Sequence, residues 1–289
     1  MNGPIESIPF ELVIPTDPTR ILRGVIDQPA GTRQGGIELP TVFVLHGFKG
    51  FFRWGFFPEI GRRLASSGYV SVRFNFSGSG VGPDLENFTD EAAFEANTVT
   101  RERDDAAFAI RTLMGPDYPW ISSSSIGLLG HSMGGGIAML LAAGASPLPI
   151  RALVTWGAIS SFDRFSDEQK ATMRDQGWLP VPNARTGQVH RVGRAWVDEL
   201  EAPGSSLDPV EACRVLRTPT LLLHGGADTS VPIAEGERLA GALNMDVGCL
   251  ETLAGAGHTF GASHPFGEVS PDLERALDLS LAHLGQHLG

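Results

Sequence analysis

Cysteine is nearly absent: the 289 residues contain two, Cys213 and Cys249. Two thiols cannot build a disulfide framework, and both are expected to be reduced. Basic residues are also scarce, 22 Lys and Arg against 33 Asp and Glu, giving a formal net charge of −11. Gripping a phosphate backbone or an anionic bilayer takes clustered cations, so neither nucleic acid nor a membrane is an expected partner. No apolar run approaches the ~20 residues that span a bilayer. Residues 1–15 carry no basic stretch followed by an apolar one, so no secretory leader is read there and the expected location is the cytoplasm. There is no His, Cys, Asp and Glu cluster at metal-ligand spacing, and Gly78 with Gly80 is too short for a dinucleotide fingerprint. No metal and no cofactor are therefore expected.

Glycine (36) and proline (20) are plentiful but spread out, so they read as turns. Between them, β-rich runs alternate with helical ones. Residues 10–16 and 22–28 read as an opening pair of strands. Residues 41–45 (TVFVL) form a continuous apolar run ending at His46-Gly47, as a strand buried on both faces should. Further strands are expected at 69–76, 125–130, 152–156, 220–224 and 247–253. Helices are expected at 58–67, 91–114 as one long element capped by Asp90, 134–143, 233–243 and 271–287. This alternation implies one domain over 1–289, a mostly parallel sheet covered on both faces. Residues 161–217 interrupt it with a helix (167–176), the turn Leu179-Pro180-Val181-Pro182 and a strand at 188–192. A connection this long inside a compact domain is usually functional, and it reads as a small lid over the site.

Gly130-His131-Ser132-Met133-Gly134 fits G-x-S-x-G. Alone it is a weak signal that any glycine-rich turn can imitate. Here it joins the end of a buried strand to a small-residue helix, the setting in which a strained turn lifts a serine hydroxyl above a sheet. Serine needs a base, and His258 is the best candidate, in a small-residue loop directly after the last strand. His131 inside the elbow is expected to point away from Ser132. His283 and His287, at i,i+4, are expected to be solvated rather than metal-binding. The carboxylate that orients His258 is expected to be Asp228, after the strand 220–224, with Asp163 as the alternative. An Asx-turn before Val231-Pro232 would also account for Asp228. The order Ser132, Asp228, His258 is much more specific than any one of them. Backbone N–H groups of Met133 and Phe48 are placed to stabilise an oxyanion.

Together, Leu45-His46-Gly47-Phe48, the elbow, His224-Gly225-Gly226-Ala227-Asp228 and Gly255-Ala256-Gly257-His258 resemble motifs of the α/β-hydrolase superfamily, in order and across nearly the whole chain. The resemblance implies the α/β-hydrolase fold: an eight-stranded, mostly parallel sheet with helices on both faces and a small lid. Within the superfamily the chain looks like the carboxylesterase, cinnamoyl-esterase and dienelactone-hydrolase-like group. Dienelactone hydrolases carry a cysteine nucleophile where Ser132 stands, and dehalogenases an aspartate. Many relatives have an Asp before the Gly-x-Gly after the fourth strand; this chain has Asn75-Phe76-Ser77-Gly78-Ser79-Gly80. The aromatic segment 51–57, with Phe51 and Trp54, and Trp178 and Phe260 are expected to line the substrate site. Apolar walls suit carboxylic esters with apolar or aryl groups, cleaved through an acyl-enzyme. The same residues would serve an amidase resembling serine aminopeptidases, or a thioesterase or lactonase; a silent binding module would usually lack a triad member.

Overall fold

The computed structural model describes residues 3–36, 38–144, 148–183 and 186–288. The chain opens with an antiparallel hairpin, β1 (Ile5–Ile14) and β2 (Asp17–Pro29), and one helical turn, α1 (Thr32–Gly35). The alternation then begins: β3 (Leu39–Leu45), α2 (Phe57–Ser66), β4 (Val70–Asn75), α3 (Glu91–Glu95), α4 (Val99–Leu113), β5 (Ile121–His131), α5 (Met133–Ala143) and β6 (Ile150–Trp156). The interruption contains α6 (Asp167–Gln176), the hairpin β7 (Trp178–Pro182) and β8 (Val189–Gly193), α7 (Ala195–Leu200) and α8 (Pro209–Val215). β9 (Thr220–Gly225), α9 (Ile233–Ala242), β10 (Gly248–Leu253) and α10 (Pro271–Leu288) finish the chain.

The main sheet has eight strands in the order β1-β2-β4-β3-β5-β6-β9-β10. β1–β2 and β2–β4 pair antiparallel, and every other neighbour pairs parallel. Successive side chains of a strand face opposite sides. Phe43 and Leu45 therefore join the layer of α4, α5, α8 and α9, while Val42 and Val44 join that of α2 and α10. Among the described residues, no helix is long and apolar enough to cross a membrane. Cys213 is buried with its Sγ 3.6 Å from the Met139 Sδ, Cys249 is exposed, and both are free thiols.

One element differs from the sequence expectation. The run 91–114 is two helices, because Asn97 and Thr98 interrupt it. Thr98 is extended (φ −144, ψ 164), and its Oγ1 accepts the Arg101 N–H, capping a new helix. β4 is buried along its whole length. Its polar face is used internally: the Arg73 guanidinium donates to Asp27 Oδ2 at 2.5 Å and to the Phe52 carbonyl at 2.8 Å. Asn75 Oδ1 accepts the Phe52 N–H at 2.8 Å. These bonds pin the aromatic segment 51–57 to the sheet, beside the carboxyl ends of β3 and β5. In open parallel sheets that edge is where ligands bind.

Candidate active site

Ser132 stands between the last residue of β5 and the first of α5, at φ 56 and ψ −120. A non-glycine residue in such a region stores on the order of 1–3 kcal/mol of backbone strain, and needs surroundings that enforce it. The Ser132 N–H donates to the Trp156 carbonyl at 2.8 Å, and its carbonyl accepts the Gly135 N–H at 3.0 Å. The flanking glycines let the backbones meet. A Cβ on Gly134 would lie 2.4 Å from the Leu45 oxygen, and one on Gly130 would lie 2.3 Å from the Gly134 oxygen. Among the described residues, Ser132 Oγ makes no hydrogen bond.

Asp228 lies in the loop after β9 and His258 in the loop after β10. The His258 Nδ1–H donates to Asp228 Oδ2 at 2.7 Å. Oδ1 of the same carboxylate accepts the Ser230 and Val231 N–H groups at 2.8 and 2.9 Å. The Asx-turn is thus present on one oxygen while the other is engaged by the imidazole. Burial pushes the Asp228 carboxyl up, but the His258 hydrogen bond and the two backbone donors outweigh it and hold the group below its ordinary 3.8. It is a carboxylate at neutral pH, and it fixes His258 as the Nδ1–H tautomer with Nε2 as the basic nitrogen. Asp163, the alternative acid, is instead an ion-pair partner of Lys170 at 2.5 Å.

Sequence reasoning did not single out Gly157. It follows β6 at φ +52, beneath the Asp228–His258 pair. A Cβ there would lie 3.2 Å from Asp228 Oδ2 and 3.3 Å from His258 Nδ1. The signal available was Trp156-Gly157 at a strand end.

After β3, Gly47–Gly50 closes a turn through a Gly50 N–H to Gly47 carbonyl bond of 2.9 Å, with Lys49 in the left-handed region at φ 54. The buried His46 secures it from below: Nδ1–H donates to the Gly47 carbonyl at 2.9 Å, and Nε2 accepts the Phe76 N–H at 3.3 Å. Burial, against that Gly47 bond, pushes the His46 imidazole down to about 4, so it is neutral. Among the described residues, neither the Phe48 nor the Met133 N–H has a hydrogen-bond partner.

A cavity of about 250 Å³ unites these parts, lined by Gly47, Phe48, Trp54, Phe57, His131, Ser132, Asn183, His258 and Thr259, among others. Trp54 is thus where the sequence expects it. Phe57, the last residue of the expected aromatic segment and the first of α2, also lines it, whereas Asn183, beyond β7, lines it without having been anticipated. Phe51 packs edge-on against Phe88 and His264, with centroids 6.2 and 5.1 Å away. Phe260, with φ 50, turns its ring under the sheet against Trp156 at 5.2 Å. Trp178 lies beneath the Arg191 guanidinium at 4.5 Å. None of these three is among the cavity's lining residues. His131 does not turn out of the site: its Nε2–H donates to the His258 carbonyl at 3.0 Å, and its ring lies 4.6 Å from that of His258. Burial first, then the His258 charge, push its imidazole down to about 3. A larger groove, about 700 Å³, lies between α4, α5 and α8, but has no histidine in its lining.

A profile of the α/β-hydrolase family matches residues 42–272. The chain belongs to the α/β-hydrolase family. Among solved structures, it is similar to a protein of Agrobacterium vitis S4 named as a hydrolase, with TM-score 0.73, 21% identity and coverage of 97% of this chain and 99% of that one. It is also similar to the esterase domain of a Rhodothermus marinus protein (TM-score 0.64, 21% identity, 99% and 100% covered). A third is Est1E of Butyrivibrio proteoclasticus with ferulic acid bound (TM-score 0.67, 18% identity, 92% and 96% covered). No curated protein matches the chain. At these identities the likeness shows the shared fold, which the sheet order describes independently.

Proposed function

We propose that this protein is a serine esterase, with Ser132 as nucleophile, His258 as general base and acid, and Asp228 as the group that orients the histidine. The observation that carries this reading is the 2.7 Å bond from His258 Nδ1 to Asp228 Oδ2, made in the wall of the cavity that also holds the strained Ser132. Ser132 Oγ attacks the ester carbonyl carbon as its proton passes to His258 Nε2. The carbonyl oxygen becomes an oxyanion and takes hydrogen bonds from the N–H groups of Phe48 and Met133. On collapse the C–O bond breaks, and the leaving alkoxide takes the proton from His258. Water then attacks the acyl-Ser132 ester by the same route, giving the free acid and restoring the serine. The N-terminus of α5 adds its dipole at the developing charge.

The walls of Phe48, Trp54 and Phe57 favour an apolar acyl or aryl group. A volume of about 250 Å³ suits a short chain or a single ring rather than a long fatty acyl chain. Est1E, with its bound ferulic acid, is a relative in fold whose ligand is an aryl acid. The test is hydrolysis of p-nitrophenyl acetate, butyrate and decanoate by wild type and Ser132→Ala, with labelling by a serine-directed fluorophosphonate. The expected result is turnover of the two short esters and labelling, both lost in Ser132→Ala. Activity that survives the substitution would remove Ser132 from the mechanism.

A further inference from the structure

The proposed oxyanion turn is held from two sides. From the sheet side, His46 bonds the Gly47 carbonyl. From the other side everything comes from beyond the sheet. The Phe48 ring meets Trp196 of α7 edge-on at 6.0 Å and Phe94 of α3 at 5.6 Å. Trp196 is buried, and its Nε1–H reaches the Phe162 carbonyl at 3.4 Å, which ties it to the loop after β6. The Lys49 ammonium donates to the Pro182 carbonyl at the end of β7, 2.8 Å away, and lies 5.6 Å above the Phe48 ring. The hairpin is itself locked to α3. His190 of β8 is wedged between Phe88 and Phe94, with centroids 5.0 and 4.8 Å away, and its Nδ1 is 3.0 Å from Glu91 Oε2. Phe94 is thereby fixed as the second wall of the Phe48 ring.

We infer that residues 161–217 position the oxyanion turn, with Trp196 acting through the Phe48 ring and Pro182 through the Lys49 ammonium. The segment is then part of the catalytic framework as well as a cover. This rests on the reading of Phe48 N–H as an oxyanion donor. A turn with a non-glycine residue at φ 54 keeps that shape only while its neighbours enforce it. The two struts hold Phe48 by its ring and the next residue by its ammonium, so removing one lets Phe48 and its N–H drift. Such a donor acts in the transition state, not in ground-state binding, and drift therefore lowers kcat and leaves KM nearly unchanged. A segment that only covered substrate would show the opposite, a change in KM.

The test compares wild type, Trp196→Leu, Trp196→Phe, Lys49→Met and Ser132→Ala on p-nitrophenyl butyrate. It also measures inhibition by butylboronic acid, whose tetrahedral serine adduct carries an oxygen at the oxyanion position. For Trp196→Leu, kcat should fall by about 10- to 100-fold, with KM within about twofold, and boronate affinity should weaken in step with kcat/KM. Trp196→Phe, which keeps a ring against Phe48, should recover most of the loss, and Lys49→Met should show a smaller loss of the same kind. Unchanged kcat in Trp196→Leu, or a loss confined to KM, would overturn the inference. If Trp196→Leu does not fold by circular dichroism, Lys49→Met decides by the same criteria. Activity persisting in Ser132→Ala would instead overturn the nucleophile assignment, an outcome distinguishable from the first.

Discussion

Gly157 shows how closely the Asp228–His258 pair is fitted to the main chain beneath it. Its φ of +52 disfavours any side chain, and the space where a Cβ would stand is bounded by the two atoms that share the Asp228–His258 bond. Gly157→Ala should therefore do two separable things. Thermal unfolding should report a loss of about 1–2 kcal/mol from the left-handed backbone alone. Steady-state kinetics should report at least about a tenfold fall in kcat/KM, because a shift of the pair acts on proton transfer. A variant with lowered Tm and unaltered kcat/KM would show that the pair tolerates displacement. The residue scale is also where sequence reading reached its limit. That Ser132, Asp228 and His258 come together was legible because each follows a recognisable strand end; their roles remain the proposal. The aromatic wall was only partly legible: Trp54 and Phe57 line the cavity, but Phe51 and Phe260 lie in loops, where no period tells which ring faces it. For Phe260 the left-handed backbone decides it, and for Phe51 the Arg73 and Asn75 bonds to its neighbour Phe52 do.

At the scale of elements, the strands and most helices were readable from apolar runs and from the glycines and prolines between them. The exception, 91–114, is instructive. Apolar residues continue at helical spacing through Asn97-Thr98, so periodicity alone predicts one helix. The break comes from local hydrogen bonding, with Thr98 capping α4 while the Glu199 carboxylate accepts from the Val99 and Thr100 N–H groups. Three of the first N–H groups of α4 are thus satisfied by side chains, one of them on α7. Thr98→Ala should cost about 1 kcal/mol in urea denaturation, with the slope unchanged. A cost near zero would mean that Glu199 alone suffices. The contents of 161–217 were partly readable, including the helix 167–176 and a strand at 188–192, whereas the packing of β8 on α3 joins residues far apart along the chain.

For the whole molecule, buried titratable groups set the pH profile of stability. Burial pushes the Glu102 carboxyl from 4.5 up to about 8, against the hydrogen bond that the Asn97 amide donates to one of its oxygens. The folded chain then holds a proton the unfolded chain releases, so this stabilisation is complete below pH 4.5 and is lost as pH rises to about 8. His46 and His131, held neutral by burial, act in reverse: their contribution is complete above 6.5 and lost as pH falls toward about 4 and 3. Between 4.5 and 6.5 the two histidines outweigh the one glutamate, and above 6.5 the glutamate acts alone, so for these groups stability peaks near pH 6.5. Tm measured from pH 4 to 9 checks the peak. In Glu102→Gln the alkaline limb should flatten, and its advantage over wild type should grow up to pH 8 and then level off. A wild-type Tm that is flat from 6.5 to 8.5 would contradict the neutral Glu102.

The hairpin that begins the chain also bears on how molecules meet one another. β1 and β10 are the two outer strands of an eight-stranded sheet, and an outer strand is a ready template on which a second chain can add. Pro9, exposed in the middle of β1, lacks the N–H that such an addition would use, and exposed Glu11 follows two residues later. On β10, exposed Glu251 would face its own copy. Both margins thus resist edge-to-edge growth into fibrils, and the like charge of a chain carrying −11 strengthens that resistance at low ionic strength.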